Sequence, residues 1–167
     1  GAVPLTLNVP TQGTLSGATN DYQLQVSSAC YHGGDSSASP AGGPDAVYSF
    51  TAPAAGAYSF RVQWIPNPGW DAVLYVAKVC PVTPPTPQTI SDLDCIDAAN
   101  RQGYSSVYRT TEENACLPLN AGDTVYVFVD ETSNLLTGSF NVLATACTPE
   151  VEANNTPTTA PPFVCGI

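Results

Sequence analysis

Short runs of alternating apolar and polar residues, each closed by a turn signal, constrain this chain more than any other feature. Tyr22-Gln23-Leu24-Gln25-Val26, Asp45-Ala46-Val47-Tyr48-Ser49-Phe50 and Tyr58-Ser59-Phe60-Arg61-Val62-Gln63-Trp64 each put apolar groups on one face of a strand. Pro53-Ala54-Ala55-Gly56 between the last two is a turn, which predicts a hairpin. Residues 71–77 form a further strand. Val125-Tyr126-Val127-Phe128-Val129 is apolar on both faces, as suits a strand central in a sandwich, and it follows the turn Asn120-Ala121-Gly122-Asp123. Gly138-Ser139-Phe140-Asn141-Val142-Leu143 closes the core. Residues 12–16, 105–110 and 116–119 are weaker candidates. No stretch carries a helical stripe, and 97–102 has room for one turn at most. The pattern predicts an all-β, jelly-roll-like antiparallel β-sandwich of about eight or nine strands, interrupted by two long loops at 32–44 and 82–100.

Composition narrows the function classes. The 167 residues hold only 4 basic against 14 acidic residues, a net charge of −10. Arg61, Lys78, Arg101 and Arg109 cannot assemble a nucleic-acid surface, so no nucleic-acid partner is expected. No apolar run approaches the roughly 18 residues of a membrane helix. Only 11% of residues are charged, yet the 43% apolar content is enough for a core. After Cys147 the composition turns to Thr, Pro, Asn and Ala, which divides the chain into a domain at 1–147 and an arm or linker at 148–167.

The even set of Cys30, Cys80, Cys95, Cys116, Cys147 and Cys165 contains no Cys-x-x-Cys, and His32 is the only imidazole. Disulfides in an oxidising compartment are therefore expected rather than a zinc site, placing the protein outside the cell or on its surface. Cys80 and Cys95 bracket the Pro-rich stretch 81–89, which favours a local bridge between them. The pairing of Cys30, Cys116, Cys147 and Cys165 stays open.

The segment from Gly43-Pro44-Asp45-Ala46-Val47-Tyr48 through Ala55-Gly56-Ala57-Tyr58-Ser59-Phe60 resembles the bacterial pre-peptidase C-terminal (PPC) domain. The resemblance continues through Asp71-Ala72-Val73-Leu74-Tyr75-Val76, then Leu119-Asn120-Ala121-Gly122-Asp123-Thr124-Val125-Tyr126, and ends on Gly138-Ser139-Phe140. It spans about 14–146, and Cys80 and Cys95 fall where members with paired cysteines carry them. It implies a non-catalytic β-sandwich attached to bacterial secreted enzymes and surface proteins, similar to the collagen-binding domains of bacterial collagenases. There, calcium is held by an acidic stretch before the first strand. The counterpart here lies at the other end of the chain, as Glu150-Val151-Glu152-Ala153-Asn154-Asn155. Thr159-Ala160-Pro161-Pro162-Phe163 likewise resembles Gly1-Ala2-Val3-Pro4-Leu5, so the tail reads as the opening of another copy: either the chain is one unit of a tandem-repeat array, or its tail completes a neighbouring copy.

The calcium ligands implied by the resemblance are Glu150, Glu152, Asn154 and Asn155, with Asp21 and Tyr22 from the first core strand. Asn155 replaces a carboxylate, and Ala18 stands where another aspartate is expected. A second acidic run, Asp92-Leu93-Asp94-Cys95-Ile96-Asp97, reads as a solvated loop. Catalysis finds little support. Asp35, Ser36 and Ser37 near His32 lie in a Gly-rich loop without a nucleophile elbow, and Glu112 and Glu113 are adjacent, so a strand would point them apart. Trp70, preceded by Gly69 in a loop, is the best exposed aromatic for stacking on a sugar or protein partner, whereas Trp64 reads as the end of a strand. The expectation is a secreted, non-enzymatic structural or adhesive module whose arm docks on a neighbouring copy and polymerises it into a filament. The alternative is an accessory domain that binds collagen or a polysaccharide beside an enzyme.

Overall fold

Alternation makes a sandwich only if two sheets bury their apolar faces against each other, and the computed structural model shows which strands do so. It describes residues 1–24, 28–31, 41–65, 72–80, 87–100, 111–114, 116–131 and 138–148. Among these are twelve strands and no helix: β1 (Val3–Pro4), β2 (Thr11–Thr14), β3 (Tyr22–Leu24), β4 (Ala46–Thr51), β5 (Gly56–Trp64), β6 (Ala72–Ala77), β7 (Gln88–Ile90), β8 (Cys95–Ala99), β9 (Thr111–Glu113), β10 (Leu117–Leu119), β11 (Thr124–Glu131) and β12 (Ser139–Ala146). The excess over eight or nine consists of elements two or three residues long.

One sheet runs β1-β4-β11-β6-β8 and the other β10-β5-β12-β2, with β9 also on β5. Pairing is antiparallel throughout both, except that β1 joins β4 in parallel. Between the sheets Tyr48 and Phe50 of β4, Phe60 and Val62 of β5, Val125, Val127 and Val129 of β11, and Phe140 and Val142 of β12 form the inner core. Gly13 of β2 lets this core close. A Cβ there would stand 2.0 Å from the Tyr48 hydroxyl and 2.6 Å from the Phe140 ring.

Three expectations are corrected. The strands at 45–50 and 58–64 are not a hairpin: β4 gives its edge to β11 and β5 pairs with β12, so the two lie in opposite sheets. Their apolar faces meet across the core instead, Phe50 lying 5.2 Å from Tyr58 and 5.3 Å from Phe60 between ring centroids. Beyond β4, Ala52 exchanges backbone hydrogen bonds with Gly122 and Asp123, the turn that opens β11, and the chain then crosses over. The stretch 82–100 is not a featureless loop but carries β7 and β8, so residues 97–99 extend a strand rather than begin a helical turn. Cys95 pairs with Cys30 and not with Cys80; the second bridge is Cys116–Cys147. β8 sits at the edge of its sheet beside Cys30, where Ala98 donates its N–H to the Cys30 carbonyl, so the partner of Cys95 comes from far along the chain.

The first sheet is buried on both faces. All six residues of β6 are buried: Ala72, Leu74 and Val76 face the inner core, while Val73, Tyr75 and Ala77 face a second cluster outside. That outer cluster is closed by a small parallel pair, β3 with β7, and by the Cys30–Cys95 bridge. The central strand β11 alternates likewise, with Val125, Val127 and Val129 inward and Tyr126 and Phe128 outward, as its two apolar faces require. Residues 105–110 lie outside the described residues.

Candidate functional site

The outer layer gathers the polar chemistry. Asp45 immediately precedes β4, and its Oδ2 accepts the backbone N–H of Asp21 at 2.6 Å and of Tyr22 at 2.8 Å. The Asp45 N–H donates in return to the Thr19 carbonyl, and the Gln88 N–H to the Asp21 carbonyl. One carboxylate therefore fixes the head of β3 to β4, and the same turn anchors β7. Asp45 is only 8% exposed, and burial pushes its carboxyl up to about 6 against the opposing pull of the two N–H bonds, with the Asp21 charge adding to the rise.

From there an aromatic stack leads inward. The Tyr22 ring meets Phe128 edge-on at 5.1 Å, and Phe128 stacks on Tyr75 at 4.7 Å. The Tyr75 hydroxyl donates to Asp130 Oδ2 at 3.2 Å. Burial, then the charge of Asp45, hold the Asp130 carboxyl well above the usual range; burial likewise raises the Tyr75 phenol. Gly43 seals this end of β11. It donates its N–H to the Glu131 carbonyl, and a Cβ would stand 2.5 Å from that oxygen.

A cavity of about 500 Å³ opens at the head of β3. Asp21, Tyr22, Asp45 and Cys80 form its polar wall, with Val47 and Tyr126 from the outer face of the sheet. Gly1 and Ala2 complete the lining. The half-buried Cys80 is outside both bridges, and its thiol donates to the Tyr22 hydroxyl at 3.5 Å. Burial, then this contact, pushes the Tyr22 phenol up. Among the described residues no group of three or more His, Cys, Asp or Glu could hold a metal ion. Asp21 and Tyr22, the two calcium candidates within the described residues, both line this cavity. Glu150, Glu152, Asn154 and Asn155, which that expectation assigns, lie outside the described residues, as do Cys165, Trp70, His32, Asp35, Ser36 and Ser37.

The remaining candidates have structural partners. Ala18 packs on the inner core. The second acidic run is not uniformly solvated: Asp92 is exposed and accepts from Ser28 Oγ at 2.5 Å, Asp94 accepts from Ser91 Oγ at 2.9 Å, and Asp97 on β8 is buried. Glu113 Oε1 accepts from Ser59 Oγ at 3.1 Å. Trp64 is the last residue of β5.

In the sequence Asp45 marks only the start of a strand, and Asp130 stands only at the end of an apolar one. Parity carries a signal for the latter. Asp130 shares the face of Tyr126 and Phe128 on a strand apolar on both sides, so its carboxyl has to be buried. Nothing in the sequence marks Cys80 as a cavity thiol, because that depends on which cysteine takes Cys95.

No family model and no curated protein matches the chain. A solved structure similar to it is the pre-peptidase C-terminal domain of collagenase from Bacillus anthracis, at 14% identity and a TM-score of 0.44, over 86% of this chain and 94% of that one.

Proposed function

We propose that the chain is a secreted, non-catalytic structural or adhesive module of PPC type, and that its arm at 148–167 docks on a neighbouring copy to build a filament head to tail. The observation that carries this reading is the cavity at the head of β3. It gathers Asp21, Tyr22 and Asp45 beside Gly1 and Ala2, and the described residues alone do not complete a metal site. The arm supplies what is missing in kind: Glu150 and Glu152 as carboxylates, Asn154 and Asn155 as amide oxygens, the hard donors that calcium takes. A segment that enters the same cavity on the next copy makes a heterologous contact, which propagates rather than closing a pair. The two disulfides suit an oxidising, extracellular setting.

Sedimentation velocity of the full chain and of a 1–148 truncation tests the reading. The full chain sediments as polymers and the truncation as folded monomers. Equal polymerisation of both refutes it. Calorimetric titration of the assembled protein checks the cation, uptake being expected with assembled protein and absence of uptake contradicting it. Retention of monomers on collagen or polysaccharide beads, lost in Trp70→Ala, would favour the accessory-domain reading instead.

A further inference from the structure

We propose that copies of this chain meet side by side, Leu93 of one copy seating in the pocket beside Arg61 on the second sheet of another. This lateral contact lies apart from the arm and stands without it.

Leu93 is 87% exposed, whereas Val9, the next most exposed large apolar side chain among the described residues, is 50% exposed. It stands in the turn that joins β7 to β8, and the turn is braced. The Ser91 carbonyl accepts the N–H groups of Asp94 and Cys95 at 3.0 and 2.9 Å, and the Ser91 hydroxyl donates to Asp94 Oδ2 at 2.9 Å. The Lys78 N–H donates to the Asp94 carbonyl, the Ser28 hydroxyl holds Asp92, and Cys95 is bonded to Cys30. None of these bonds uses the Leu93 side chain. It projects from a fixed backbone into water, with a carboxylate on each side.

The pocket lies on the other side of the molecule. Phe60 and Val62 of β5 and Phe140 and Val142 of β12 point into the core, so Arg61, Gln63, Asn141 and Leu143 face outward. With Pro10 they line a pocket of about 60 Å³. Arg61 lies opposite Glu113 in the strand register, but Glu113 Oε1 accepts from the Ser59 hydroxyl, and among the described residues Arg61 makes no ion pair.

A leucine between two carboxylates thus matches an apolar dent beside an unpaired guanidinium. In a chain with 14 acidic and 4 basic residues most surfaces repel one another, and Arg61 is one of the few places where an acidic turn can land. β7 belongs to the layer that covers the first sheet, while the pocket opens on the outer face of the second. The thickness of the sandwich separates the two, so a chain cannot fill its own pocket with its own Leu93. Turn and pocket are different surfaces, so the contact is heterologous and leaves one of each free for further copies. One buried leucine makes a weak bond, effective where copies are held close together.

Photocrosslinking of full-length chains tests the contact. The probe chain carries Gln63→p-benzoylphenylalanine and Leu93→Ser; its partner is the wild-type chain labelled with heavy isotopes. Irradiation should join position 63 of the light chain to residues 91–94 of the heavy one. Leu93→Ser in the partner, or Arg61→Glu in the probe chain, should cut that yield about tenfold. Leu93 is exposed, so its replacement leaves the fold intact, and the partner variant decides the matter even if Arg61→Glu fails to fold. Crosslinks that map elsewhere, that ignore Leu93→Ser in the partner, or that are absent at about 1 mM chain overturn the contact. Filaments without this crosslink leave arm docking standing and refute the lateral contact alone; the crosslink without filaments does the reverse.

Discussion

The two faces of the first sheet are built on different principles. Its inner face meets the second sheet chiefly through aliphatic and aromatic side chains, with the buried Glu131 two residues beyond Val129 at the end of β11. Its outer face is covered by two three-residue strands and a disulfide, and it admits Asp45 and Asp130 among Tyr22, Tyr75 and Phe128. The inner layer stabilises chiefly by apolar burial, with the Cys116–Cys147 bridge tying the ends of β10 and β12 in the second sheet. The outer layer holds its shape through a cross-link and two protonatable acids, and it is the layer with a cavity. Stability and the candidate site are thus separated across the thickness of one sheet.

Substitutions in the two layers should therefore fail differently. Phe60→Ala empties the centre of the inner core, where the ring is fully buried against Phe50, and should cost about 4 kcal/mol with a single cooperative loss of structure by denaturant titration. A separate, earlier transition in that variant would contradict the idea that the inner layer holds the fold together. Replacing Cys30 and Cys95 together by Ala opens a link across 65 residues and should cost about 4 kcal/mol. Here the loss is expected to start in the outer layer. Hydrogen exchange should speed up in β3 and β7 while β5 and β12 keep their protection; uniform loss of protection would erase the distinction.

Asp45 gives the smallest effect and the sharpest sign. Its carboxyl sits at about 6 in the folded chain against an ordinary 3.8, so between these values the folded state holds more protons than the unfolded one. Stability accordingly falls as pH rises through that window and stays at the lower level above it. Asp130, raised in the same direction, adds to the trend. With screening at the cavity mouth the effect is about 1 kcal/mol, or roughly 2–4 °C in melting temperature between about pH 5 and about pH 7.5, the acidic sample being the more stable. Asp45→Asn keeps an acceptor for the N–H groups of Asp21 and Tyr22 and should narrow that gap; an unchanged gap would remove Asp45 as its source.

The inner layer was legible in the sequence and the outer layer was not, for physical reasons. Period-two alternation reports which side chains share a face, so β4, β5, β6, β11 and β12 could be read from their apolar positions. It does not report which strand lies beside which. The turn after β4 looked like a hairpin turn, yet β11 occupied the edge that β5 would have taken. β3 and β7 are too short for any period to show, and their parallel pairing depends on a contact between segments far apart in sequence. Half of the candidate site was visible in Asp21 and Tyr22. Asp45 and Cys80 join them only once β3 is pinned to β4 and Cys95 is taken by Cys30.

Electron microscopy of the full chain beside the 1–148 truncation tests whether the arm at 148–167 docks on a neighbouring copy. Regular filaments with one sandwich per repeat are expected from the full chain, and dispersed single domains from the truncation. Filaments of the same diameter and repeat from the truncation would contradict it.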